Sequence, residues 1–392
     1  MGSLTSTSAD LPFIVFGNAS TATYPEGGGH WSVRIQYMRA LTQMGVRWRW
    51  LELLRASGHA QSDEKKAHIF LRRMHWYGVG NHVAVAIIPK SATDLDHAQF
   101  RGAREADVNR WIADADILWN FCCAVREPLL SRFKKRALLD LDPGHIQVAA
   151  MTVNMEIDHH ELHFSVGSKL ADTDTLSPNL GLTWHPFWPA LHLPMWKVKA
   201  DPGPAAPFSS VTQWNWGGEL PWNGGLLSTS KRDAYLRYLN FPKLSRHRLD
   251  LAANIHPNDT TGDRELLTEN GWRLVHPHRV GHNPALYRRY IQSCRAEFSC
   301  PKPVFRELRT GWFSDRSAAF LASGRPVLAE DTGFSDHLPT GQGLIKFSNM
   351  DDALAGIEDI TANYASHARA ARALAQEYFD ATKVLGAMIE RC

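Results

Sequence analysis

Ser314, Asp315, Arg316 and Ser317 stand at the head of a short run of strong helix formers, Ala318 to Ala322, that Gly324 stops. Two hydroxyls, a guanidinium and the unpaired N–H groups of a helix start suit a phosphate, because the helix dipole adds positive potential there. A plain capped helix with a solvated arginine would use the same residues. Asp315 repels phosphate and is better matched to a sugar or ribose hydroxyl, or to the dipole itself. Pro326 to Ala329 then reads as a short buried strand opening into the turn Glu330-Asp-Thr-Gly333. Asp331, Thr332 and Gly333 thus fall at a strand's carboxyl end, where ligands gather in parallel α/β sheets. His30 follows three glycines, Gly27, Gly28 and Gly29, which let a backbone approach a ligand closely. Its imidazole suits general-base work on an acceptor hydroxyl, against the alternative of a histidine packed on Trp31. Asp142 lies in Asp140-Leu-Asp-Pro-Gly144, either a cleft-facing strand end or an ordinary β-turn.

These groups need elements to hold them. Phe13 to Phe16 reads as a first strand, 31–44 as an amphipathic helix ended by Gly45, and Val46 to Leu51 as a second strand. Strands at 82–89, 117–121 and 136–141, with a helix at 106–113, continue an alternation that fits a parallel sheet. The Pro-, Gly- and Trp-dense stretch 178–221 contains the expected domain boundary, near Trp184 to Trp196. The pattern then restarts. Phe208 to Trp214 is a strand, 216–225 a Gly-rich turn, 231–239 a helix, Leu249 to Ala253 a strand, and 264–270 and 283–293 are helices. A long Ala-rich helical stretch is expected over 365–389.

With 392 residues, the chain is long enough for two domains of ordinary size. Its net charge of +3 supplies neither a nucleic-acid stripe nor a polybasic membrane patch. The five cysteines have no zinc-type spacing and their odd number argues against a disulfide framework, so reduced thiols in a cytoplasmic protein are expected. The one apolar run near the start, Leu11 to Phe16, is too short for a signal or a membrane span. Glu156-Ile-Asp-His-His-Glu-Leu-His163 has metal-ligand residue types without a zinc spacing. It reads as a polar segment on the acceptor side, with His163, and no metal is expected. Several of the 14 tryptophans fall in polar surroundings, as groove-lining residues do, though packing explains them as well.

The run from Gly311-Trp-Phe-Ser-Asp-Arg-Ser317 through Gly324-Arg-Pro-Val327 to Asp331-Thr-Gly-Phe334, with Gly341-Gln-Gly-Leu-Ile345 and Asp351-Asp-Ala-Leu354 after it, resembles the donor half of GT-B glycosyltransferases. The resemblance is to a bacterial group of that fold, in which a Tyr-Arg-x-Tyr-Ile…Glu-Phe-Ser run like Tyr287 to Ser299 precedes it. It implies an α/β chain of two doubly wound Rossmann-like domains facing across a cleft: 1–190 for the acceptor, 191–365 for the nucleotide sugar, and a 366–392 tail packing back on the first. It implies a metal-independent glycosyltransferase without a cofactor, taking a nucleotide-sugar donor and a small-molecule, natural-product-like acceptor. Membrane and nucleic acid are not expected as partners; a homodimer is allowed. Lys231 matches the lysine that contacts the donor diphosphate in retaining members, while Leu226 holds the usual arginine place. Asp336 matches the acid of their Gly-rich turn. Ser314, Asp315, Ser317, Asp331, Thr332, Gly333 and Asp336 are then donor-side, with Tyr287, Arg288, Glu297 and Phe298 shaping the pocket. His30, Lys231 and Arg316 are catalytic, and Gly27, Gly28, Gly29, Asp142 and His163 are acceptor-side. The Glu-x7-Glu pair of retaining members is replaced by Gly311 and Ala319. Stereochemistry stays open, as do an epimerase or phosphorylase on this fold and a catalytically idle nucleotide-sugar sensor.

Overall fold

The structure is a computed structural model that describes residues 11–392 apart from Thr93, Asn215, Trp216 and Pro257. The expected Gly-rich turn begins at Trp216, which lies outside the described residues. Eight strands form the first sheet: β1 (Ile14–Asn18), β2 (Trp48–Arg55), β3 (Val83–Ile88), β4 (Gln99–Arg101), β5 (Ile117–Phe121), β6 (Arg136–Asp140), β7 (Leu162–Ser165) and β8 (Trp184–Pro186). Their order is β4-β3-β2-β1-β5-β6-β7-β8, all parallel except the edge strand β4. Every residue of β1, β3 and β5 is buried, as it must be in a parallel sheet covered on both faces. Phe16 stacks with Trp50 and Phe121 under the helix Gly28–Gln43. That helix stops where Gly45 takes φ +75° and Val46 N–H returns to the Leu41 carbonyl.

The chain then adds β9 (Phe208–Gln213), the antiparallel hairpin β10 (Glu219–Trp222) and β11 (Gly225–Ser228), β12 (Leu249–Asn254), β13 (Arg273–Leu274), β14 (Ala296–Ser299), β15 (Val327–Glu330) and β16 (Leu344–Phe347). The second sheet runs β13-β12-β9-β14-β15-β16, parallel throughout. Each domain is therefore doubly wound, with its switch in strand order beside its first strand: between β1 and β5, and between β9 and β14. Ligand crevices open at such switch points.

Three elements differ from expectation. The 216–225 turn is part of a hairpin, because Asn223 and Gly224 both take positive φ (47° and 77°), the geometry of a tight two-residue loop. The helix Ala60–Trp76, with Ala67, Phe70 and Met74 buried, went unread because its apolar residues are sparse. The 365–389 stretch is two helices, since the Asp380 carboxylate caps Thr382 N–H (2.9 Å) and restarts the helix. The first, Tyr364–Tyr378, buries Ala371 and Ala375 against the second-domain helix Asp315–Ala322. The second, Ala381–Ile389, packs on the first domain, where Leu385 and Met388 join Met38 and Leu41. Among the described residues no helix is long and apolar enough to cross a membrane.

Candidate active site

The two switch points face each other. On the first-domain side β1 ends in Asn18, which is buried and donates to Glu52 Oε2 (2.7 Å) and Thr21 Oγ1 (2.9 Å). Glu52 also accepts from Ala22 N–H (2.7 Å) and Trp50 Nε1 (3.0 Å). Burial pushes its carboxyl up, opposed by these hydrogen bonds and by Arg34. Arg34 donates to Asn18 Oδ1 (3.3 Å) and lies 4.2 Å over the Phe121 ring. Its proton affinity falls through burial, while Asp315 and Glu52 are among the groups that favour its charge. Sequence reasoning missed this group. The available signal was Glu52 itself, a carboxylate inside the apolar run Trp50-Leu-Glu-Leu-Leu54, which cannot be buried without partners.

His30 Nε2 lies 2.8 Å from Ser20 Oγ in the same corner. Burial, helped by Arg34, lowers its pKa to about 3, so the ring is neutral at physiological pH but holds a proton weakly. The rate is therefore expected to lack a limb near the ordinary histidine pKa in a kcat/KM profile. His30→Gln should lose less than about tenfold in kcat, where loss of a general base costs roughly 10²–10⁴. A limb near neutrality that His30→Gln removes would instead support the base role.

The three glycines before it do not face open space. A Cβ on Gly28 would lie 2.4 Å from the Gly281 carbonyl oxygen and 2.6 Å from that of Asn283, and one on Gly29 would touch the Tyr287 ring at 3.2 Å. Gly27 shows only ordinary contacts with Tyr24 and His30. The loop is thus packed backbone to backbone on the second domain. Gly28→Ala is expected to cost about 1–3 kcal/mol in urea unfolding through overpacking; an unchanged midpoint would show that the domains part freely there.

On the second-domain side, Lys231 opens the helix Lys231–Leu236 just after the hairpin. Its Nζ donates to the Cys300 carbonyl (2.6 Å), at the end of β14, and sits 5.0 Å over the Trp312 ring. Burial, with Arg316 next, lowers its pKa to about 7. Arg316 is turned into the sheet: its guanidinium binds Glu297 and donates to Val211 O (2.8 Å) and Ser299 Oγ (2.9 Å), tying β9 to β14. Ser314 caps Arg316 N–H (3.2 Å), and Ser317 is buried beside it. Asp315 looks across the interface: its carboxyl is pushed up by burial and held down by Arg316 and by Arg34 of the first domain. Gln36, Tyr37, Leu141, Val166, Trp312 and Asp315 line a cavity of about 50 Å³ there.

The remaining expected residues divide. Asp142 pairs with Lys302 (2.5 Å), and Asp336 with Lys169 (2.6 Å) and Arg309 (3.2 Å), so both stand at domain-crossing ion pairs. Asp331 caps Gly333 N–H (2.9 Å) and Ser335, and Thr332 Oγ1 donates to Trp312 O (2.7 Å), so these two organise their own turn. Gly333, at φ +95°, lies where a Cβ would meet the Lys169 chain at 2.7 Å. His163 is not gathered with the others. Its Nε2 lies 2.9 Å from the Ile157 carbonyl and its ring packs on Trp184, toward the start of β7 rather than its carboxyl end. His159 stands on a separate 3-10 turn and pairs with Glu127, so no helix carries His159 and His163 together. Of the donor-shaping residues, Glu297 holds Arg316, Tyr287 covers the glycine loop, Phe298 fills the core, and Arg288 donates to Met195 O (3.3 Å).

No family model and no curated protein matches the chain. Solved structures do. An Anabaena protein, HepE, in complex with UDP-glucose is 13% identical with a TM-score of 0.59, covering 97% of this chain and 99% of that one. An alpha-glucosyltransferase in complex with UDP-glucose and DNA containing an abasic site is 10% identical with a TM-score of 0.58 over the same shares. Sucrose-phosphate synthase of Thermosynechococcus elongatus is 11% identical at 0.54, covering 97% and 98%. The fold is GT-B over 97% of the chain.

Proposed function

We propose that this chain is a metal-independent glycosyltransferase that moves a sugar from a nucleotide-sugar donor to a small-molecule acceptor, in the cytosol that its five free thiols suit. The observation that carries the reading is Lys231, a buried cation at the switch point between β9 and β14. Burying an ammonium among Arg316 and Lys302 is costly, and an anionic ligand offsets that cost. The second domain would hold the diphosphate with Lys231 and the N-terminal end of the helix Asp315–Ala322, stabilising charge on the departing group. Asp315 and Arg34 would face the sugar and the acceptor.

The structural neighbours carrying UDP or UDP-glucose support a nucleotide-sugar donor. The 50 Å³ cavity is far below the roughly 300 Å³ a ligand of this size needs, so the domains would part to admit the donor and close over it. The neighbour with bound DNA raises a nucleic-acid acceptor as the second reading. A net charge of +3 gives it little support.

The first test is a thermal-shift panel of nucleoside diphosphates and nucleotide sugars, since a ligand of the folded state raises its stability by mass action. A rise selective for one nucleotide, lost in Lys231→Ala, is the expected result. No rise with any member would sink the proposal.

A further inference from the structure

Glu26, His278 and His282 come from different domains: Glu26 from the loop before the helix Gly28–Gln43, the histidines from the short helix after β13 and its C-cap. Among the described residues they are the one set of three potential metal ligands whose donor atoms all lie within 4.8 Å of one another. Glu26 Oε2 is 3.0 Å from His278 Nδ1. His278 and His282 are four residues apart, across the helix Pro277–Gly281 and its helical C-cap, with ring centroids 5.9 Å apart. That spacing puts two imidazoles on one face of a helical turn, the arrangement that presents a histidine pair to zinc.

We propose that this cluster binds one zinc-class transition-metal ion, with the Glu26 carboxylate and the His278 and His282 imidazoles as ligands and water completing the shell. Tetrahedral sites at metal–ligand distances near 2.0–2.1 Å need donor atoms roughly 3.3–3.5 Å apart, so side-chain rotations alone close the set. The backbone beneath it is already fixed. Gly28 is pressed against Gly281 and Asn283 too closely to admit a Cβ, so the loop bearing Glu26 and the segment bearing the histidines are held in register by packing. A borderline-soft ion with two imidazoles and one carboxylate favours zinc, cobalt or nickel over magnesium or calcium, which take oxygen-rich shells. The ion would act as a clasp between the domains at the edge of the glycine loop. It has no part in the transfer chemistry, and the site stands whether or not the chain transfers sugar.

The test uses untagged, chelator-treated full-length protein titrated with Co²⁺ and followed by visible absorption, then with Zn²⁺ in competition. The expected result is one ion per chain, d–d bands of a four-coordinate site that Zn²⁺ abolishes, and a Zn²⁺-dependent rise in thermal midpoint. His278→Ala and His282→Ala should each weaken binding by more than roughly tenfold, since even outer-shell changes cost about 10–100-fold at metal sites. Glu26→Gln should weaken it also, while His68→Ala, an exposed histidine outside the cluster, should not. Each variant's metal-free midpoint checks that it folds. Absence of the bands, or bands and affinity that survive both histidine substitutions, would overturn the proposal.

Discussion

Arg316→Met is expected to cost about 3–5 kcal/mol in unfolding free energy, the range seen when one partner of a buried ion pair is removed. Glu297 is fully buried, and its second oxygen, Oε2, has no hydrogen-bond partner among the described residues. Arg316 supplies its counter-charge and in the same stroke ties Val211 of β9 to Ser299 of β14. Those strands flank the switch point, so the pair sets the floor of the proposed donor site. Methionine keeps much of the volume and loses the charge. The carboxylate must then ionise unpaired or take up a proton, and either is costly in the interior. Glu297→Gln combined with Arg316→Met should recover much of the loss, because removing both charges costs less than orphaning one. Urea unfolding of the two single variants and the double gives the coupling. A single-variant loss below about 1 kcal/mol would mean that the arginine is solvated and free to meet a ligand.

That pair also shows where sequence reading stops. A serine-capped, alanine-rich helix ending at Gly324 was legible, and the structure places it at Asp315–Ala322. The alternation of short apolar strands with helices was legible too, because parallel strands buried on both faces read as continuous apolar runs. The direction in which Arg316 points was not. It depends on Glu297, 19 residues earlier on the strand β14, and no local pattern joins the two. Glu52 was overlooked for the mirror-image reason: a strand period hides one charge whose partners, Asn18 and Ala22, come from another element. His163 was misplaced because residue type suggested a site while its position near the start of β7 determines where it sits. Lys231 reaches the end of β14 because its backbone position, at a helix start after the hairpin, sets its Nζ on the Cys300 carbonyl.

Lys231→Gln is accordingly expected to lower kcat by about 10²–10³, as loss of one preorganised donor to a charged transition state does elsewhere. Its proton gives an independent readout. Burial, then the Arg316 charge, takes the pKa from its ordinary value of 10.5 down to about 7 in the folded chain. Below pH 7 the lysine is charged in both folded and unfolded states, and the folded state bears the full desolvation cost. As pH rises from about 7 toward 10.5, the unfolded chain keeps a proton that the folded one releases, so stability climbs across that window. Lys231→Gln should flatten the climb. A bound diphosphate favours the ammonium, so at about pH 8 nucleoside-diphosphate binding should take up a proton from the medium. Calorimetry in two buffers of different ionisation enthalpy measures that uptake directly. If binding occurs with no uptake, or with an uptake that survives Lys231→Gln, the lysine does not meet the diphosphate.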